Sequence, residues 1–308
     1  MNKSDLKIIY LGTPEFAVEG LRALVEGGYN VVAVVTMPDK PAGRGHQMQF
    51  SDVKKYALEA GLPILQPEKL KDEAFIEELR SYQADLQIVV AFRMLPEIVW
   101  AMPRLGTFNV HGSLLPQYRG AAPINWAVMN GDKETGLTTF MLKHEIDTGN
   151  MILQERISIG DDENVGSVHD RLMALSKEMV TRTVDLIIDC ENKGIPVPTT
   201  PQPELEDLRP APKIFKEDCE IRFEEKTAEE VHNFVRGLSP YPAAWANLTI
   251  NGQSFENVKI YQVKVQRDKV QSTKEIIIPC KEGAVKILEL QVPGKKRMDA
   301  RSFLNGLH

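Results

Sequence analysis

Three side chains in this sequence could carry out acyl-type chemistry if the fold brought them together: Asn109, His111 and Asp147. Asn109 and His111 open the run Asn109-Val110-His111-Gly112-Ser113-Leu114-Leu115-Pro116. On a strand, alternate residues project from one face, so this carboxamide and this imidazole would point the same way. Both can donate hydrogen bonds to an oxygen that gains negative charge when a carbonyl-type carbon is attacked. Asp147 begins the turn sequence Asp147-Thr148-Gly149-Asn150. A carboxylate there could keep the imidazole protonated and oriented, and help an attacking amine lose its proton. Taken singly, none of the three is informative. A histidine at a strand end is more often structural, and Asp-Thr-Gly is an ordinary turn.

Positioning them requires a strand that ends at His111 inside a sheet with an open cleft. Leu6–Leu11 reads as a buried strand, Asn30–Thr36 as a β-branched strand, Leu86–Phe92 as another apolar strand and Gly106–His111 as a further strand. Between them, Pro14–Gly27, Ser51–Gly61, Asp72–Gln83 and the short Glu97–Met102 have helical spacing. The β-α-β alternation predicts a doubly wound, mostly parallel, Rossmann-like sheet with helices on both faces. Such sheets bind ligands beyond the carboxyl ends of their strands, which puts chemistry in the loops after Leu11, Thr36, Phe92 and His111. A long helix, Val165–Lys193, closes this first domain, expected over 1–196. A proline-rich, semi-rigid linker is expected over 197–212. Residues 213–308 then read as a helix, Thr227–Gly237, followed by strands Ala244–Ile250, Val258–Val265, Lys274–Ile278 and Val285–Val292. Short strands at near-regular spacing predict a small, OB-like β-barrel.

The chain has 308 residues, 43% apolar and 26% charged, in the ordinary range for a globular protein and long enough for two domains. Its first residues run straight into a strand, leaving no room for a secretory signal, and no apolar run reaches the ~20 residues of a membrane span. A cytoplasmic protein is expected, and a monomer. Cys190, Cys219 and Cys280 lack the paired spacing of a zinc site or disulfide framework, so reduced thiols and no metal are expected. The net charge of −6 is unevenly spread. Residues 213–308 hold 16 Lys+Arg against 13 Asp+Glu, a net +3, and the remainder holds 21 against 30, a net −9. A basic tail on an acidic body suits a C-terminal part that meets a polyanion.

The Asn109–Pro116 run and the later Asp147-Thr148-Gly149 together resemble the signature of the folate-dependent formyltransferase family. The resemblance implies Asn109, His111 and Asp147 as the catalytic trio and 10-formyltetrahydrofolate as the formyl donor. It also implies Ser113, Leu114, Leu115 and Pro116 as the wall along which the folate lies, and a pterin pocket near Ala91–Leu95. Two departures stand out. Phe92-Arg93 occupies the place of a Tyr-Gly pair found in many relatives, and Asn150 stands where many carry Asp.

Three further stretches are similar to the tRNA-formylating branch of that family. The loop Pro38–His46, with Arg44 between Gly43 and Gly45, resembles its basic insertion, which meets the tRNA acceptor end. The run Val235–Trp245 and the terminal Pro293-Gly294-Lys295-Lys296-Arg297-Met298 are similar as well. The implied partner is initiator methionyl-tRNA, with Arg44, Lys295, Lys296 and Arg297 as phosphate or base contacts. The implied reaction moves a formyl group to the α-amine of the tRNA-borne methionine. The alternatives are a formyl-folate enzyme acting on a small amine or on water, and a tRNA-binding protein with an inactive site.

Overall fold

The computed structural model describes residues 1–42, 47–267 and 273–307. The strands that read as buried from their sequence form the middle of a seven-stranded sheet. In chain order its first part runs β1 (Lys7–Gly12), α1 (Glu15–Glu26), β2 (Asn30–Val35), β3 (Lys40–Ala42), β4 (Gln47–Gln49), α2 (Asp52–Glu59) and β5 (Ile64–Leu65). It continues with α3 (Glu73–Ser81), β6 (Leu86–Val90), α4 (Glu97–Trp100), β7 (Thr107–His111), α5 (Pro123–Met129), β8 (Glu134–Met141), β9 (Met151–Ser158) and α6 (Val165–Lys193). The sheet order is β5-β2-β1-β6-β7-β8-β9, while β3 and β4 make a separate two-stranded ribbon. Strands β1, β2, β5, β6 and β7 pair in parallel, and β8 joins β7 antiparallel.

β1 shows why the parallel strands were legible. It is buried along almost its whole length, as a strand covered by helices on both faces must be. Its Tyr10 is fully buried, and the hydroxyl donates to the carbonyl of Ala17 at 2.6 Å. Burial raises the pKa of that phenol well above its usual value. One face of the sheet packs Ile9, Leu11, Ala33, Val35 and Val89 against Phe75, Ile76 and Leu79 of α3 and Val99 of α4. Sheet order reverses between β1 and β6, and in doubly wound sheets such a switch is where a ligand sits beyond the carboxyl ends of the strands.

Sequence patterning did not mark β8 or β9. β8 (ETGLTTFM) hides its threonines instead of alternating, and β9 (MILQERIS) carries polar residues along its length. Neither shows the period-2 contrast that marks a strand.

The chain divides into two compact units. The first comprises 1–120, 136–157 and 170–210, and the second comprises 121–135, 158–169 and 211–308. The second contains α7 (Ala228–Leu238), β10 (Ala244–Ile250), β11 (Gln253–Gln266), β12 (Ile276–Pro279), β13 (Ala284–Gln291), β14 (Met298–Asp299) and α8 (Ala300–Asn305). Its antiparallel sheet runs β10-β11-β13-β12, with β14 also pairing β13, and it carries its own core with Val231 and Val235 of α7 and Phe303 of α8. Among the described residues, no helix is long and apolar enough to cross a membrane.

The start of α7 supports a direct stability test. Thr227 and Glu230 form a capping box: the threonine hydroxyl accepts from the Glu230 N–H, and the Glu230 carboxylate accepts from the Thr227 N–H. Thr227→Ala should cost about 1 kcal/mol in a denaturant titration. The Thr227 N–H holds the Glu230 carboxyl below its usual range, so the folded-state pKa lies below the unfolded one. The carboxylate's contribution is therefore present at neutral pH and is lost as pH falls through that depressed value. The cost of Glu230→Ala, which removes the carboxylate but leaves the Thr227 N–H in place, should therefore shrink in acid, and a pH-independent cost would contradict this.

Candidate active site

β7 ends on His111, and the backbone register fixes what surrounds it. Asn109 and His111 face Phe140 and Thr138 of β8 across the antiparallel pair. The imidazole is 6% exposed and meets the Phe140 ring edge-on, with centroids 6.4 Å apart. Its Nε2 lies 2.8 Å from the carbonyl oxygen of Tyr118. A carbonyl can only accept, so Nε2 carries a proton and donates it. That leaves Nδ1 as the nitrogen not engaged by this bond. Nδ1 faces Oδ2 of Asp147 at 3.8 Å, beyond hydrogen-bond reach, so the pair interacts through charge when the ring is protonated. Its side chains are both about nine-tenths buried, where a charge interaction is less screened than in water.

Asp147 is held from several directions. Its Oδ2 accepts from the backbone N–H of Gly120 at 3.0 Å, and its φ of 53° is left-handed, a conformation that Asp tolerates better than most residues. The glycine two residues on has a steric reason. A Cβ on Gly149 would lie 1.6 Å from the Met141 carbonyl oxygen, so only a residue without a side chain lets the turn pass the end of β8. Asn109 is half-buried and, among the described residues, its carboxamide makes no hydrogen bond. The structure thus brings together the three residues that the sequence singled out: a spare carboxamide, a histidine with one spare nitrogen and a carboxylate.

The Ser113–Pro116 run is more inward than the expected folate wall. Ser113 has no exposure and its hydroxyl donates to the Gln117 carbonyl at 2.6 Å, while Leu115 is 3% exposed. Pro116 is also buried, and only Leu114 keeps side-chain surface open. The physical reason is that this tight turn must close on itself to present the Tyr118 carbonyl to His111. Beyond β6, Arg93 donates to the carbonyls of Pro67 and Glu68 at 2.7 and 2.9 Å. The Phe92-Arg93 departure therefore ties the loop after β6 to the loop after β5, and desolvation lowers the guanidinium pKa. Asn150 is exposed, and among the described residues its side chain bonds to Thr199 alone, at 3.4 Å.

Of the expected tRNA contacts, Arg44 lies outside the described residues. Lys295 and Lys296 are exposed and without an ion pair among the described residues. Arg297 is spoken for: its guanidinium grips Glu289 with two bonds of 2.6 and 2.7 Å and lies over the Tyr261 ring. Its charge is thereby largely offset, because the carboxylate is in bidentate contact. Sequence reasoning missed the Tyr118 carbonyl, the Gly120 N–H and Gln202, whose amide donates to the carbonyls of Asp147 and Gly149. Two of these contacts come from the backbone and the third crosses from the linker, so no residue type or spacing announces them.

A doubly wound sheet with a carboxamide and an imidazole at the end of a parallel strand, and a carboxylate facing the imidazole from a turn, has the groups that acyl-group transfer calls for. A family model described as Formyl transferase matches residues 6–184, and a second, Formyl transferase, C-terminal domain, matches residues 213–308. The chain belongs to the formyl transferase family. A methionyl-tRNA formyltransferase of Bacteroides thetaiotaomicron is 58% identical over 315 residues, covering 99% of this chain and 97% of that one. One of Flavobacterium johnsoniae is 49% identical, with 98% and 96% covered. The fold is shared with WlaRD, a sugar 3N-formyl transferase crystallised in the presence of dTDP and 5-N-formyl-THF. That likeness has a TM-score of 0.65 at 18% identity and covers 94% of this chain and 99% of the other.

Proposed function

We propose that this enzyme transfers the formyl group of 10-formyltetrahydrofolate to the α-amino group of methionine carried on initiator tRNA, supplying formylmethionyl-tRNA for translation initiation. The observation that carries the residue assignment is the histidine: Nε2 is spent on a carbonyl, Nδ1 faces a carboxylate, and an unspent carboxamide stands on the same strand face. The α-amine forms a bond to the formyl carbon, the bond from that carbon to folate N10 breaks, and N10 leaves with a proton. Asn109 and the Nδ1–H of His111 donate to the formyl oxygen as it gains negative charge. Asp147 faces Nδ1 of His111 and, directly or through a water, takes up the proton that the amine releases. Leu114 is the member of the Ser113–Pro116 run with side-chain surface open to a folate, while Ser113, Leu115 and Pro116 support the turn from inside. The enzyme works in the cytoplasm as a monomer. Lys295 and Lys296 are the terminal cations free to meet phosphate, with Arg297 bracing their turn through Glu289.

Single-turnover formylation of charged initiator tRNA, run beside free methionine and a small-amine control, tests the reading. Rapid, tRNA-selective formylation is expected; transfer to the small amine, or formate release without tRNA modification, would overturn the substrate assignment. In the same assay Arg44→Ala should weaken tRNA formylation while leaving folate binding intact, and its loss should be relieved at low salt, as for a lost phosphate contact. Equal loss in tRNA formylation and folate binding would remove Arg44 from the tRNA side.

A further inference from the structure

Both groups that orient His111 belong to backbone that is disfavoured on its own. Asp147 has φ 53° and Tyr118 has φ 60°, left-handed values that a residue with a side chain adopts only where its surroundings hold it. The same stretch of chain, within the proline-rich segment after α6, holds both. Thr200 exchanges two backbone hydrogen bonds of 2.8 Å with Met151, which anchors the segment at the start of β9. Two residues on, Gln202 Nε2 donates to the Asp147 carbonyl at 2.7 Å and the Gly149 carbonyl at 2.9 Å. Its Oε1 accepts from Nη2 and Nε of Arg119 at 2.7 and 3.1 Å. Arg119 adjoins Gly120, whose N–H holds the Asp147 carboxylate. Further along, the Arg209 carbonyl accepts from the Tyr118 N–H at 2.7 Å, and the Arg209 N–H donates to Gln117 Oε1 at 2.8 Å. Gln117 Nε2 returns a bond of 2.7 Å to the Asp207 carbonyl.

We infer that the segment from Thr200 to Arg209 is a positioning strap for the active site, with Gln202 the side chain that sets the Asp147 turn. This rests on the proposed roles of His111 and Asp147. The chemistry of Gln202 is specific. A carboxamide offers two donors and an acceptor on one planar group, and this site uses all of them. Glutamate has the same shape and would still accept from Arg119. It has no donor for the two carbonyls at neutral pH, and its charge would repel them. Gln202 is therefore a positioning residue, acting through the placement of Asp147 opposite Nδ1.

The test uses the full chain in steady-state formylation of charged initiator tRNA, with Gln202→Glu, Gln202→Ala, Asp147→Asn and the double variant Asp147→Asn/Gln202→Glu. Gln202→Glu should lower kcat about 10- to 100-fold, the size of effect expected when a catalytic group is displaced by an ångström. KM for both substrates should stay within about twofold, because the interaction lost serves the transition state and not ground-state binding. In the Asp147→Asn background the same Gln202 change should cost less than about twofold, since coupled residues are not additive. If Gln202→Glu does not fold, as read by thermal unfolding, Gln202→Ala carries the test, because it leaves room for solvent at the two carbonyls. The strap is overturned if the folded Gln202 variants keep kcat within about twofold, or if the loss is equally large in the Asp147→Asn background. Unchanged turnover in Asp147→Asn alone would instead sink the catalytic reading, and the strap with it.

Discussion

Replacing His111 with alanine should lower turnover about 10²- to 10³-fold, the usual cost of one oxyanion-stabilising donor. The loss should fall on kcat, with KM for folate and tRNA little changed, because the donor acts on charge that exists only in the transition state. A second effect follows from the structure. Removing the imidazole leaves the Tyr118 carbonyl without the Nε2–H that it accepts in a buried place, a cost of about 1–3 kcal/mol in stability. Against a total of about 5–15 kcal/mol the protein still folds. Asn109→Ala separates the two effects. Its carboxamide makes no hydrogen bond among the described residues, so stability should change little while turnover falls by a similar factor. Stopped single-turnover assays beside urea titrations of both variants read this contrast. Turnover within tenfold of the parent in folded His111→Ala would remove the histidine from the chemistry.

The contrast between those variants also marks how far the sequence could be read. The parallel strands announced themselves because burial on both faces demands near-continuous apolar runs, as in β1, and in β6 apart from the buried Gln87. The long helix α6 spans the residues its spacing predicts. The grouping of Asn109, His111 and Asp147 came from the Asn109–Pro116 run and the Asp147-Thr148-Gly149 turn taken together, through their resemblance to a family signature, whereas the steric need for Gly149 is visible only in the packing. The turn around Ser113 was less so. An Ser-Leu-Leu-Pro run looks like a ligand-facing wall, yet Ser113 and Leu115 are buried because the turn closes on itself to aim the Tyr118 carbonyl. The proline-rich segment was the least legible. Prolines argue for extended backbone, and extended backbone has no periodicity from which to tell a spacer from a strap. The contacts of Gln202 and Arg209 depend on which surface the segment crosses, which is a tertiary property.

The steric argument at Gly149 leads to the other large expected effect. Gly149→Ala would place a Cβ 1.6 Å from the Met141 carbonyl oxygen and 2.8 Å from its carbonyl carbon. Both neighbours are backbone, at the end of a strand held in register against β7, so no side chain can rotate away to make room. The turn must move instead. Its rigid surroundings include the Asn150 carbonyl, which accepts from the Met141 N–H at 3.1 Å, and the Gln202 amide on the carbonyls of Asp147 and Gly149. Breaking that set should cost about 1–3 kcal/mol, the range for a substitution that forces backbone to shift in a packed region. Calorimetry should show a clear fall in Tm. Activity should fall further than stability alone explains. At a temperature where the variant is folded, a turn displaced by an ångström carries the Asp147 carboxylate away from Nδ1, and misplacement on that scale can cost about 10²-fold. The decisive comparison is Gly149→Ala against Thr227→Ala, which lowers stability at the start of α7 through its bond with Glu230. If both variants, measured well below their Tm, retained parental kcat, the turn would be a structural element without a hold on the reaction. A deep loss in kcat confined to Gly149→Ala would show that the glycine is there to let the carboxylate reach the histidine.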